Sequence, residues 1–138
     1  MDAIIKKLVR RKKENQRGVA AVEFAIIVLV FITLLFGIIE FGLLMYNQHI
    51  VTNAGREGAR YGIVYRSERL NESDIKQVVD GYGEQYIVTF GNKTWDVEVP
   101  SACSGSGAPL SVTVDYSYDF LFFPWSRNIS STTTMRCE

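Results

Sequence analysis

Residues 19–46 read VAAVEFAIIVLVFITLLFGIIEFGLLMY, and the fold follows from how this stretch is read. The segment Phe24–Ile39 carries no charge. As a helix it rises about 24 Å at about 1.5 Å per residue. Continuing through Glu40 to Tyr46 takes it past the ~30 Å of bilayer hydrocarbon. A soluble surface helix keeps a polar face, and this run has almost none. A cleaved secretory signal has a shorter apolar region that closes on a small-x-small site. Here Gly18, Ala20 and Ala21 stand at the start of the run, and no such site ends it. The expectation is a retained transmembrane helix over residues 19–46.

Upstream, the charge is lopsided. The 138 residues sum to zero net charge. Residues 1–18 hold seven basic side chains against two acids, net +5, and the rest of the chain carries net −5. Lys and Arg crowd the cytoplasmic flank of a membrane helix. Residues 1–18 therefore read as a basic cytoplasmic leader, and the C-terminal part as exported. A membrane flank accounts for the basic cluster without invoking nucleic acid.

Downstream, residues 47–66 contain no Pro, and small residues recur at Ala54, Gly55, Gly58, Ala59 and Gly62. On a helix they form a smooth stripe. Each Gly costs near 1 kcal/mol of helix stability relative to Ala, so a close neighbour is expected. The alternative is fraying after Asn53. Arg56, Glu57 and Arg60 sit on the same extension, either contacting a sheet or partner subunit or forming a solvated face.

Residues 67–138 form a small exported α+β domain in this reading. A break at Ser67–Asn71 precedes a short amphipathic helix. Asn71 caps it with Asp74, Ile75, Val78, Val79 and Tyr82 share its apolar face, and Gly81 and Gly83 end it. Tyr86–Phe90, Trp95–Val99, residues 110–120 and Ile129–Cys137 are strand candidates. The clearest is 110–120, where Leu110, Val112, Val114, Tyr116, Tyr118 and Phe120 alternate with polar residues. A core this small needs a brace. Cys103 and Cys137, on the exported side, read as a disulfide; two half-buried thiols are the alternative. The fold class is α+β: a long N-terminal membrane-anchored helix, one short helix, and a small antiparallel sheet.

Catalytic chemistry finds little support. The single His49 lies far from both cysteines, no Gly-rich phosphate loop follows a strand, and no metal-ligand or cofactor motif is present. Asp115 and Asp119 share a strand face that reads as solvated. The triplets at Asn71, Asn92 and Asn128 read as chance matches to the glycosylation pattern.

Two membrane-zone acids need a reason, because ionisable groups at bilayer depth are costly. Cleavage after Gly18 would give Val19 a new α-amine, with a reference pKa near 8. Glu23 is one turn on and on the same face. It would neutralise that amine in its own chain or in a neighbour. The helix dipole also favours an acid there, so a plain interfacial role stays open. Glu40 lies about 25 Å further along the axis. It either meets a basic group of a partner subunit or, more simply, reaches outer headgroup water.

The blocks RGVAAVEFAIIVL, GIIEFGLLMY and VTNAGREGARYG resemble the TadE-like pseudopilins of tight-adherence (Tad) pilus systems, a likeness that covers residues 17–65. Gly followed by an apolar helix with Glu at its fifth position resembles the processing signature of type IV pilin-like proteins, and the paired VEFA and EGAR blocks narrow the likeness. Leu29 stands near the place where family members often carry Pro. The resemblance implies a pilin-like fold and cleavage between Gly18 and Val19 by a prepilin peptidase. It also implies a role for Glu23 in assembly. The implied partners are other pilin or pseudopilin subunits, the inner-membrane assembly platform and lipid. The implied location is the bacterial inner membrane, N-terminus cytoplasmic. The competing reading is a signal-anchored single-pass protein with an exported binding module; an exported enzyme is weaker, for want of a catalytic set.

Overall fold

The computed structural model describes residues 2–64, 70–90, 94–122 and 124–138, with side chains from residue 18 on except Ser101. It holds two helices and three strands: α1 (Asp2–Ile63), α2 (Glu72–Tyr86), β1 (Thr94–Ser101), β2 (Pro109–Asp119) and β3 (Ser126–Arg136). The chain divides into two units, residues 1–39 and 40–138.

The first unit is helix alone. No residue from 18 to 39 is buried. Phe24, Ile27 and Leu29 are each about two-thirds exposed, so apolar side chains point outward all round. A helix apolar on every side has its natural solvent in lipid or among other apolar helices. Thr33 donates its hydroxyl to the Leu29 carbonyl at 2.8 Å, which satisfies its polar group within the helix. Among the described residues this is the one helix long and apolar enough to cross a membrane, and it is the candidate anchor.

The second unit is built on the later part of α1. The sheet is antiparallel in the order β1-β2-β3. Strict alternation along β2 puts Leu110, Val112, Val114, Tyr116 and Tyr118 on the core face, none more than 1% exposed. They join Val51, Ala54 and Ala59 of α1, Ile75 and Val79 of α2, and Val97 and Val99 of β1 in one core. On the opposite face, hydroxyls pair across β2 and β3: Ser111 with Thr134 at 2.9 Å and Thr113 with Thr132 at 3.0 Å.

The small residues of α1 explain how closely helix and sheet meet. A Cβ on Gly58 would run into Val79 Cγ2, with Ile75 and Val112 just beyond. One on Gly62 would come within 2.6 Å of Leu110 and 2.8 Å of Ile75. Such contacts leave no room for a methyl group. The helix therefore continues through the glycines to Ile63, because packing outweighs their low helix propensity.

Packing also overrides two sequence expectations. Gly81 and Gly83 do not end α2, which runs on to Tyr86. The Trp95 ring lies where a Cβ on Gly83 would stand, so this glycine admits an indole rather than stopping a helix. Trp95 donates its indole N–H to Asp80 at 2.9 Å, tying β1 to α2. The expected strand at Tyr86–Phe90 is absent: Tyr86 is helical and 87–89 join no ladder. The Gly91-Asn92 turn and most of the Ser67–Asn71 break lie outside the described residues. At the start of α2, Asn71 N–H donates to Asp74 at 3.1 Å, as the capping pattern suggests.

Cys103 and Cys137 form a disulfide. Around it, Gly107 adopts a positive φ of 79° that suits glycine. Its N–H donates to the Cys137 carbonyl at 2.8 Å. The Glu138 N–H reaches the Ile63 carbonyl at 3.1 Å, so the chain beyond β3 caps the end of α1.

Candidate functional site

The helix that positions the site residues is uninterrupted across Gly18 and Val19. Gly18, Val19 and Glu23 are exposed, and nothing lies within 4 Å of a Cβ placed on Gly18. Glu23 follows Val19 by one turn, so an amine created at Val19 and the carboxylate share a helix face.

Further along, a buried polar stripe begins. Glu40 is 2% exposed and Asn47 fully buried, two turns apart on one face. Val51, Ala54, Gly58 and Gly62 continue that face into the core. Glu40 does not reach for headgroup water; it turns inward. Its Oε1 accepts the Tyr118 hydroxyl at 2.8 Å and the Leu121 N–H at 2.9 Å. Its Oε2 accepts the Phe122 N–H at 3.3 Å. Three donors thus replace the water that a carboxylate loses on burial. The Tyr118 phenol is pushed above its ordinary value by burial first, then by donating to Glu40.

Asn47 works the same way without charge. Its Nδ2 donates to the Val88 carbonyl at 2.7 Å, and its Oδ1 accepts the Val88 N–H at 3.0 Å. The side-chain amide imitates a neighbouring strand, so the segment after α2 needs no ladder partner. Tyr46 adds a hydroxyl bond to the Tyr86 carbonyl at 3.1 Å.

The other sequence candidates separate by face. Gly55 and Gly58 are buried against the sheet and α2, with Thr133 Oγ1 3.4 Å from a Cβ placed on Gly55. Arg56, Glu57 and Arg60 are exposed on the opposite side. Asp115 faces Asp96 across β1 and β2, in a shallow surface hollow with Ser117 and Asn128. Sequence reading missed Asn47, Tyr118 and the 121–122 amides. The available signal was the pair of polar residues Glu40 and Asn47 at heptad spacing in an apolar helix.

The helix just described is where the chain resembles known proteins. Residues 18–60 match the model of the TadE-like protein family. No curated protein and no solved structure matches the chain. The TadE-like segment opens on Gly18 and closes on Arg60. It takes in the exposed apolar helix, Glu23, Glu40, Asn47 and the first two glycines of the packed stripe. The sheet and the disulfide lie beyond it.

Proposed function

We propose that this chain is a minor pilin-like component of a Tad-type pilus, structural rather than catalytic. The observation that carries the reading is the start of the TadE-like match at Gly18, on a helix whose apolar side chains are exposed on every side. In this reading residues 1–18 hold the N-terminus in the cytoplasm, and a prepilin peptidase cuts between Gly18 and Val19. Residues 19–46 span the inner membrane, and the domain after them is exported. The new amine at Val19 is largely protonated at neutral pH. Glu23, four residues on, neutralises it within the chain or across to a neighbouring subunit as helices pack in the assembly. Partners are the peptidase, other pilin or pseudopilin subunits and the assembly platform. The exposed helix suits all three, because it offers unbranched access to a protease and an unpartnered apolar surface to neighbours.

Intact-mass measurement on protein from its native membrane tests this. A mature chain starting at Val19 is expected, with uncut precursor accumulating in a Gly18→Leu variant. A mature chain starting at Met1 overturns the reading and favours a signal-anchored binding module.

A further inference from the structure

The two edges of the sheet carry opposite charge. The order β1-β2-β3 leaves β1 and β3 as the outer strands. Both run antiparallel to β2, so they run parallel to each other. β1 holds Asp96 and Glu98 and no basic residue; β3 holds Arg127 and Arg136 and no acid. All four are exposed. Asp96 accepts the Val97 N–H at 2.9 Å. Among the described residues no side chain pairs with Glu98, Arg127 or Arg136. The acidic side is wider than one strand. α2 is tied to β1 by the Trp95–Asp80 bond and carries Glu72, Asp74, Asp80 and Glu84 against the single Lys76.

The edges differ in backbone as well. Proline, charge and irregularity are the usual means of blunting an exposed edge, and β1 has all three. Its register shifts between Glu98 and Ser101, and Pro100 in that gap offers no N–H. β3 keeps unbroken register with β2 from Ser126 to Arg136, without proline. Its arginines stand near the two ends, and Asn128 to Met135 between them are uncharged.

Charge selects the occupant. β3 against β3 would set arginines beside arginines, and β1 against β1 acids beside acids. β3 against the β1 side of another copy joins opposite signs. A copy displaced sideways without turning offers that match, because β1 and β3 run parallel. Such a contact is heterologous, and by translation it repeats without closing.

We propose that the β3 edge receives the acidic β1–α2 side of a second copy of this chain, head to tail. The irregularity of β1 bars a continuous ladder, so side-chain charge carries the contact. Exposed charge pairs are individually weak and are screened by salt, so the contact is modest and salt-sensitive. It depends neither on cleavage after Gly18 nor on the membrane span, and it stands or falls separately from them.

The test measures energy transfer between donor- and acceptor-labelled full chains in a non-ionic detergent. Transfer is expected to fall at least fivefold between low salt and 1 M NaCl; what persists in salt is the charge-independent background. Two swapped variants follow. Arg127→Glu with Arg136→Glu makes both edges acidic. Glu84→Lys, Asp96→Lys and Glu98→Lys together make both edges basic. Each alone should stay at background, and an equal mixture of the two should regain the transfer, a recovery that misfolding would not produce. The milder Arg127→Gln with Arg136→Gln should lose at least half of the salt-sensitive transfer. Wild-type transfer indifferent to salt overturns the proposal. So does full transfer in either swapped variant alone, which would place the partner surface elsewhere, or unchanged transfer in the glutamine pair. A mixture that stays at background, with both variants keeping wild-type circular dichroism, overturns it equally.

Discussion

Glu23 and Glu40 lie seventeen residues apart on one helix, in stretches of similar apolarity. The first is exposed, like every residue around it; the second is 2% exposed and takes three hydrogen bonds from its own chain. The same contrast runs through the neutral residues. Gly37 and Gly42 have open space where a Cβ would stand, whereas Gly58 and Gly62 have none. The first part of α1 presents apolar side chains that its own chain leaves uncovered, and the later part is complementary to the sheet that follows it. One continuous helix therefore carries two surfaces built to different standards: the first needs only to be apolar, and the second needs shape and paired polar groups.

The contrast can be broken most strongly at the clasp of the second region. Removing the disulfide with Cys103→Ser and Cys137→Ser should cost about 3–4 kcal/mol, from the 34-residue separation it closes. Denaturant unfolding in detergent should show this loss in the tyrosine and tryptophan signals, while helical circular dichroism from residues 18–39 persists. Loss of all helicity together would mean the two regions are not independent.

Next in size is the glycine pair. Gly58→Leu forces a side chain into Val79 and Val112 and should cost about 1–3 kcal/mol, from overpacking. Gly37→Leu meets nothing within 4 Å and should leave the midpoint unchanged or slightly raised. Equal effects would erase the distinction between the two surfaces.

The glutamates sharpen the comparison at a smaller scale. Glu40→Leu leaves the Leu121 and Phe122 amides and the Tyr118 hydroxyl without their acceptor and should cost about 2 kcal/mol. Glu23→Ala should leave unfolding unchanged and still be cut after Gly18, but support assembly poorly. Normal piliation by that variant would remove the pairing role.

The smallest effect is a pH dependence. Tyr118 has its folded pKa raised above the unfolded value near 10. Its neutral form is the one the fold holds, so its contribution is complete below the unfolded pKa and declines as pH rises above it. Stability should be flat through neutral pH and fall in the alkaline range, less steeply in Tyr118→Phe. An identical alkaline slope in that variant would place the titrating group elsewhere.

Much of this was legible because it is periodic. The apolar run, the alternation of residues 110–118 and the small-residue spacing from Ala54 to Gly62 each state a face within a few residues. The Cys103–Cys137 pair was legible from count and from an expected exported compartment. The partners of Glu40 were not, since Tyr118 lies 78 positions away and two of the donors are backbone N–H groups that any residue but proline would supply. Nor was the length of α2, because Gly83 resembles a stop signal until Trp95 is seen against it. Glycine alone does not say whether it ends an element or admits a neighbour.

Synthesis runs from Glu40 toward Tyr118, so for those 78 residues the carboxylate stands without its protein donors. Water must hydrate it in that interval, and a hydrated charge resists being drawn into hydrocarbon. If residues 19–46 span a membrane as proposed, this gives the nascent helix its own stop while the rest of the chain emerges. When the sheet closes, hydroxyl and peptide groups take over from water, and a temporary brake becomes a permanent joint.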